Sequence, residues 1–563
     1  MTVNQLADEL FGIVLDGNPI EASLLGIRNR EDRLPDYTEA GQQNIASRVS
    51  DVAERARAID PATLTAADRV TRAVVLQQAE TALDDIHCRS VEYTVTDTSF
   101  APTLEVIASL GMIGITEQAH ADGYLARLDG LPAVFEAIAQ RHRAGIAAGR
   151  FPVRRLVQAT VEHFDRYLGD PDNDSLRSPA PADGSGIDVA AFDAERDRLL
   201  HQTVYPALRR YRDVLADEVA PHGRADDRAG LRWLPDGDDY YARLVKLHTT
   251  TERTPEELHQ TGLDVIAKLT DEYADVGERV FGTRDVATIL AKLREDPAMR
   301  WNDGDELLDA ARAAIRRAEQ VAPEWFRTLP SQNCVVEPVP VSEELGAGTA
   351  YYMQPAIDGS RPGTYFANTY KAQERDRYSA EAIAFHEAVP GHHFQLTLAL
   401  ERDDLPLLRR YANINAYVEG WGLYAERLAD EMGLYSGDVA RFGMLSEDSL
   451  RASRLVVDTG LHAMGWSRQQ AVDFMVANTA TSRIEIETEV DRYISAPGQA
   501  LSYMVGRLEI QRLRAEAEQR LGDRFDTGAF HDVVLLNGLL PMNVLDEVVR
   551  AWVDEQVGGA QQG

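Results

Sequence analysis

Apolar residues recur at intervals of three and four along most of this chain, the spacing that lines one face of an α-helix. At the N-terminus Leu6, Leu10, Ile13 and Val14 fall on one such face. Residues 40–90 and 101–166 repeat the pattern in a background of Ala, Leu, Arg and Glu, which predicts long helices there. At 169–188 the pattern stops among Pro, Gly, Ser and Asp, as expected of an exposed loop or boundary. It resumes from Val189 to about Val219 and breaks again near 220–237. Thr254-Pro255-Glu256-Glu257 then reads as a helix start. Threonine caps, proline takes the first helical position, and Glu257 reaches back to complete a capping box. Helices follow to about Arg327.

The period changes between 330 and 370. Val335, Val336, Val339 and Val341, then Tyr351-Tyr352-Met353 and Thr364-Tyr365-Phe366, are strand-like runs. Pro338 and Pro340 demote the first run to an edge strand or an extended segment. Asp358-Gly359 and Pro362-Gly363 are turn signals between the last two runs. From Ser379 to the end the helical period returns, and no repeat of about 20–50 residues is visible. The expected fold is mainly α, a large helical body around a central cleft with one small sheet or hairpin near 335–370. Its regions run 1–168, 169–188 as a boundary, 189–330, 331–372 and 373–563, together one continuous cleft-forming unit.

Composition narrows the function classes. The 563 residues are 44% hydrophobic and 26% charged, ordinary for a soluble globular protein. Against 58 basic residues stand 91 acidic ones, a net charge of −33. Nucleic acid and anionic membranes select for basic surfaces, so neither is expected as a partner. The N-terminal helix carries Asp8, Glu9 and Asp16 without a basic leader, and no stretch approaches the roughly 18–20 apolar residues of a membrane span. A cytoplasmic location is expected. Cys88 and Cys334 are the two cysteines; they build neither a disulfide framework nor a metal knuckle and read as reduced, buried thiols.

The candidate chemistry lies in His386-Glu387-Ala388-Val389-Pro390-Gly391-His392-His393. Zinc hydrolases place two histidines one helical turn apart, with a glutamate beside the first as general base. Here the position one turn on is Pro390, and the next histidines come six and seven residues after His386. In an unbroken helix seven residues rise about 10 Å, too far for two nitrogens to share one ion. The helix must break, because Pro390 lacks an N–H and its ring clashes with the His386 carbonyl. A bulge over 388–391 would bring a later histidine back. His392 and His393 differ by about 100° around a helix, so one binds metal and the other faces elsewhere. Which does so stays open, with His393 slightly favoured. Buried histidines at a helix break are the alternative. Three histidines and a glutamate in eight residues, in a chain with 13 histidines, weigh against it.

A third ligand is expected from another helix. Glu419 stands in 413–433 beside Gly420, Trp421 and Gly422, and two glycines inside a helical pattern imply close backbone packing there. Glu426, two turns later, either supports the ligands from behind or is exposed, with exposure favoured. The strand 364–370, which includes Asn368, is the best candidate for an edge that holds an extended peptide by backbone hydrogen bonds, and reads equally as an ordinary sheet strand. On the residues alone Tyr503 reads equally as an ordinary half-buried aromatic or as a donor to the developing oxyanion, and Gln499, four residues earlier, would share its helix face and bind substrate backbone.

Together, FHEAVPGHHFQ, VEGWGLYAERL and RYISAPGQALSYMVG resemble a bacterial family known as domain of unknown function 885. YYMQPAIDGSRPGTYFANTY and YYARLVKLHTTTERTPEELHQTGL look like the same family, so the matched segments span about Asp239 to Gly506 within a layout that covers nearly the whole chain. That family is similar in layout to helical zinc peptidases of the angiotensin-converting enzyme, thimet oligopeptidase and thermostable carboxypeptidase groups. The resemblance implies one zinc ion on His386, on one of His392 and His393, and on Glu419, with Glu387 as base and Tyr503 stabilising the transition state. It implies hydrolysis of short peptides. A metal-dependent amidase or esterase, or a helical protein with a structural or lost metal, are the rival expectations. Oligomeric state is not legible.

Overall fold

The computed structural model describes residues 2–340, 344, 348–356 and 361–559. Val341, Asp358 and Gly359, read above as strand and turn positions, lie outside the described residues. The architecture is mainly α with one three-stranded sheet.

Local signals set the helix starts. Thr2 and Gln5 form a capping box on the helix Val3–Gly17, which buries Leu6, Leu10 and Ile13. Val14 sits at the edge of that stripe and is 40% exposed. Thr254 and Glu257 form the expected capping box at the start of the helix Pro255–Phe281. That helix ends on Gly282 at φ +67°, the left-handed conformation glycine adopts without steric penalty. The 220–237 segment is a series of tight 3-10 turns packed on the core, where the Leu231 N–H donates to His462 Nδ1 at 3.1 Å. Cys88 is buried and Cys334 half-buried, both free, and burial pushes each thiol up to about 12. Among the described residues no helix is long and apolar enough to cross a membrane.

The cores do not follow sequence order. Leu6, Leu10, Val49 and Val74 share one apolar core with Tyr365, Phe385, Phe394 and Trp421, and with Phe530 and Leu545. A second core gathers Leu104, Phe135, Val157 and Leu208. The N-terminal helices therefore support the same wall that carries the candidate histidines, although most of the chain separates them in sequence.

The sheet consists of β1 (Val335–Pro338), β2 (Ala350–Met353) and β3 (Thr364–Ala367) in the spatial order β1-β3-β2. β1 runs parallel to β3 with Val335 opposite Thr364, and β2 runs antiparallel to it with Tyr352 opposite Tyr365. β1 is the edge strand its prolines predict. β3 is not an edge: it has a partner on each side, and Thr364, Tyr365 and Ala367 are buried. The expectation of a peptide-binding edge on 364–370 is thus corrected. Chain order lists the three runs but leaves their lateral order to packing, which seals β3, the most buried run, in the middle. Among the described residues the outer strand beside the candidate site is β2, whose Tyr352 N–H donates to Glu387 Oε2 at 3.1 Å.

Candidate metal centre

His386 sits near the end of the helix Ala380–Glu387, and the next helix, His392–Leu400, starts on the second histidine. The break between them falls where Pro390 demands it, and the Val389–Pro390 peptide is cis. Gly391 makes the turn sterically feasible, since a Cβ there would stand 1.8 Å from the His386 carbonyl oxygen. Trp421 Nε1 donates to the Pro390 carbonyl at 2.9 Å and pins the loop to the helix Asn415–Glu431. The outcome is that the His386 and His392 rings meet edge to face, 4.7 Å between centroids.

Glu419 enters from the helix Asn415–Glu431. Its Oε2 lies 3.4 Å from His386 Nε2 and 3.5 Å from His392 Nε2. One ligand atom from each of the three residues falls within 4.8 Å of the others. For a tetrahedral ion with bonds of about 2.0–2.1 Å, adjacent ligand atoms stand about 3.3–3.4 Å apart. The two measured separations match that edge, so His386, His392 and Glu419 fit a single zinc-sized ion. Both histidines are buried, whereas the Glu419 side chain is 22% exposed, which leaves the cluster one open side.

The flanking glycines have a direct cause. A Cβ on Gly422 would come within 2.7 Å of the His386 ring, and one on Gly420 within 2.5 Å of the Gly506 backbone. Gly506 belongs to the helix Ser502–Leu521, so the Glu419 helix touches the His386 ring and the Tyr503 helix through its two glycines.

Glu426 corrects an expectation. It is 1% exposed, and its Oε1 lies 2.8 Å from His386 Nδ1. Two turns beyond Glu419 on the same helix face, it falls behind the imidazole and not in solvent. Such a carboxylate orients the ligand histidine and raises its basicity. Burial alone would lower the His386 pKa, but hydrogen bonds with Glu419 and Glu426 outweigh it and hold the ring up at about 9. Burial likewise opposes the Glu419 carboxylate, yet His386 and His392 hold it well below the usual range. The cluster thus attracts positive charge to the His386 position. We expect Glu426→Gln to weaken zinc binding by about 10- to 100-fold, read by competition against a coloured chelator; unchanged affinity would show that the carboxylate does not support the ligand.

His393 is not brought to this cluster. Its Nε2–H donates to the Gln332 carbonyl at 2.8 Å and its Nδ1 accepts from the Tyr352 hydroxyl at 3.0 Å, so both ring nitrogens are engaged. Burial lowers its pKa. Once the loop aims His392 inward, the next residue turns about 100° away and ties the helix to the sheet.

Glu387 is half-buried and accepts from the β2 backbone, as described above. Tyr503 is half-buried, with its ring 6.5 Å from that of His386 at an interplanar angle of 27°. Burial, then the neighbouring Glu419, pushes its hydroxyl up from the ordinary tyrosine value. Gln499 does not share a helix face with Tyr503, because a 3-10 turn at Gln499–Leu501 precedes the helix. Its Oε1 accepts from Arg492 at 2.8 Å. Asn368 is fully buried and donates through Nδ2 to the Glu344 and Gly348 carbonyls at 2.8 and 3.1 Å. Its side chain is spent on Glu344 and Gly348 and does not face the cluster of His386, His392 and Glu419.

Two groups escape the sequence reading. Asn415, one turn before Glu419, places its Nδ2 2.8 Å from His248 Nδ1, and burial lowers that histidine to about 4. Arg451 and Arg454 lie over the Tyr503 ring, at 5.5 and 4.7 Å from its centroid. The spacing of Asn415 from Glu419 was readable; its partner, from a distant helix, was not.

A family model described as a bacterial protein of unknown function (DUF885) matches residues 19–549. Among solved structures, that of a candidate lipoprotein from Colwellia psychrerythraea is similar at a TM-score of 0.90 and 27% identity, over 98% of this chain and 99% of that one. A candidate lipoprotein of unknown function from Shewanella oneidensis is similar at 0.76 and 18% identity, over 98% and 100%. At the latter identity the likeness concerns the fold alone. No curated protein matches the chain.

Proposed function

The chain belongs to this family of bacterial proteins of unknown function, and from that premise we propose that it is a zinc-dependent hydrolase of short peptides. The observation that carries the reading is the spacing of His386 Nε2, His392 Nε2 and Glu419 Oε2, a tetrahedral edge with one open side, directly beside Glu387. Two imidazoles and a carboxylate with a vacant position are the donor set of catalytic zinc, as distinct from the closed sets of structural sites.

When bound there, zinc supplies Lewis acidity to the scissile carbonyl and lowers the pKa of water toward about 7. Glu387 takes the proton of the attacking water and returns it to the leaving amine. Its link to the Tyr352 N–H sets the carboxylate against the β2 edge. An extended peptide that adds to that edge by backbone hydrogen bonds passes in front of Glu387, with little demand on side-chain identity. Tyr503 donates its hydroxyl to the oxyanion, a role that suits a group able to donate without carrying charge. Glu426 holds the His386 ring with its Nε2 toward Glu419, where it would serve as a ligand.

Chelator-treated protein reconstituted with zinc tests the reading. We expect one zinc per chain by elemental analysis, and cleavage of a peptide library that disappears on chelation and returns with zinc. Turnover confined to small amides or esters would replace the substrate class. Bound zinc without hydrolysis of any of these would make the site structural.

A further inference from the structure

We propose that a cavity between the N-terminal helices and the C-terminal helix binds a phosphate monoester of a hydroxyl-bearing small molecule, with Arg57, Arg69 and Arg72 holding the phosphate. The cavity shares no residue with the metal centre, and its ligand does not rest on the hydrolase reading.

The cavity has a volume of about 510 Å³, inside the roughly 300–1,000 Å³ usual for small-molecule sites. Arg57 comes from the end of the helix Glu39–Ala58, and Arg69 and Arg72 come from Ala66–Cys88. Lys246 stands on the helix Gly237–Thr249, and Asn543 and Glu547 stand on Met542–Gly559. Three distant stretches of chain thus share one cavity, and their seam is fixed. The Met542 N–H donates to Thr250 Oγ1 at 2.8 Å. Lys246 is spent on Glu80 at 3.1 Å and Glu252 at 3.0 Å.

The arginines lack a counter-charge. Among the described residues Arg57, Arg69 and Arg72 form no ion pair, although the chain holds 91 acidic residues against 58 basic ones. Arginines at other cavities are matched: Arg30 and Arg48 share Asp16, Arg89 meets Glu39, and Arg279 meets Asp438. Here the partners are backbone carbonyls alone. Arg69 Nη1 donates to Leu64 at 2.8 Å, and Arg72 donates through Nε to Ala56 at 2.8 Å and through Nη2 to Arg57 at 3.3 Å. These bonds position two guanidiniums and leave part of each fork unused, while the exposed Arg57 side chain is wholly unused among the described residues. Like charges gathered at one cavity repel, and a bound anion relieves that repulsion. A phosphate monoester answers best, because it carries close to two charges at neutral pH and three acceptor oxygens, which guanidinium forks take in pairs. Glu547 lines the same cavity, pairs with no cation, and is left to accept from hydroxyl groups on the rest of the ligand. Ala73, Leu76 and Val544 supply apolar contact for its carbon frame.

Titration calorimetry of the full chain at fixed ionic strength, with ribose 5-phosphate, inorganic phosphate, sulfate and ribose as separate probes, provides the test. Saturable binding of ribose 5-phosphate is expected, about 10-fold or more tighter than sulfate, with no heat from ribose alone. Arg57→Gln and Arg69→Gln are each expected to weaken it by about 10- to 100-fold, the loss of a charge-assisted contact. Arg57→Gln should leave the thermal midpoint of the free protein unchanged, since that side chain holds nothing in the fold. Arg48→Gln, at a matched cavity, should leave binding unchanged. Absence of saturable binding by phosphate and its ester would overturn the site. Unchanged binding in both the Arg57 and Arg69 variants would place the anion elsewhere, the metal centre included, and would overturn it as well. Sulfate bound as tightly as the ester would overturn the phosphate assignment, and inorganic phosphate bound as tightly would overturn the hydroxyl-bearing body.

Discussion

Glu387→Gln is expected to slow peptide hydrolysis by about 10²- to 10⁴-fold while one zinc per chain stays bound, the range that a positioned general base contributes. Glutamine keeps the size of the side chain, and its amide oxygen still accepts the Tyr352 N–H that Glu387 Oε2 now receives at 3.1 Å. The β2 edge therefore stays in place, and the loss falls on proton transfer. None of the three cluster ligands is touched, so metal content separates this outcome from a damaged site. The measurement is kcat/KM on one defined peptide, paired with elemental analysis of the same sample. Unchanged turnover would remove Glu387 from the mechanism.

The second large effect distinguishes two adjacent histidines. His392→Ala is expected to reduce zinc to well below one per chain and weaken affinity by more than the about 100-fold that a supporting partner can account for. It removes one corner of the triad, and His386 and Glu419 are too few to retain the ion. His393→Ala is expected to keep its zinc and lose about 1–3 kcal/mol of stability instead. Its ring satisfies the Gln332 carbonyl and the Tyr352 hydroxyl, and both are left without that partner when the imidazole goes. Zinc stoichiometry and urea unfolding on the two variants give the comparison. The opposite pattern, with zinc lost from the His393 variant alone, would overturn the ligand set.

The Glu426 experiment addresses the surroundings of the same centre. Glu426 acts on His386 from behind. A defect there shows in metal affinity.

Much of the site was readable because it rests on local chemistry. A proline at position 390 has no N–H to give and its ring crowds the His386 carbonyl, so a regular helix past His386 is disfavoured. Two glycines in the Glu419 helix stand where another backbone and an imidazole come too close for a Cβ. Thr254 and Glu257 lie three residues apart and cap their helix without outside help. The valine run broken by prolines became an edge strand for an equally local reason, the missing donors.

What local chemistry could not decide was direction and lateral order. The sequence by itself determined that this is a mainly helical protein, that the helix breaks between its histidines, and that Glu419 packs in tight company. Only the tertiary structure decided that His392 and not His393 faces Glu419, because the path of residues 388–391 is set by Trp421 from another helix. It also decided that β3 lies between β1 and β2, that Asn368 serves a loop, and that Glu426 stands buried behind His386. Periodicity reports which residues share a face of one element. What that face meets depends on contacts between segments far apart in the chain, and a half-turn of rotation or an exchange of strand neighbours leaves the period unchanged.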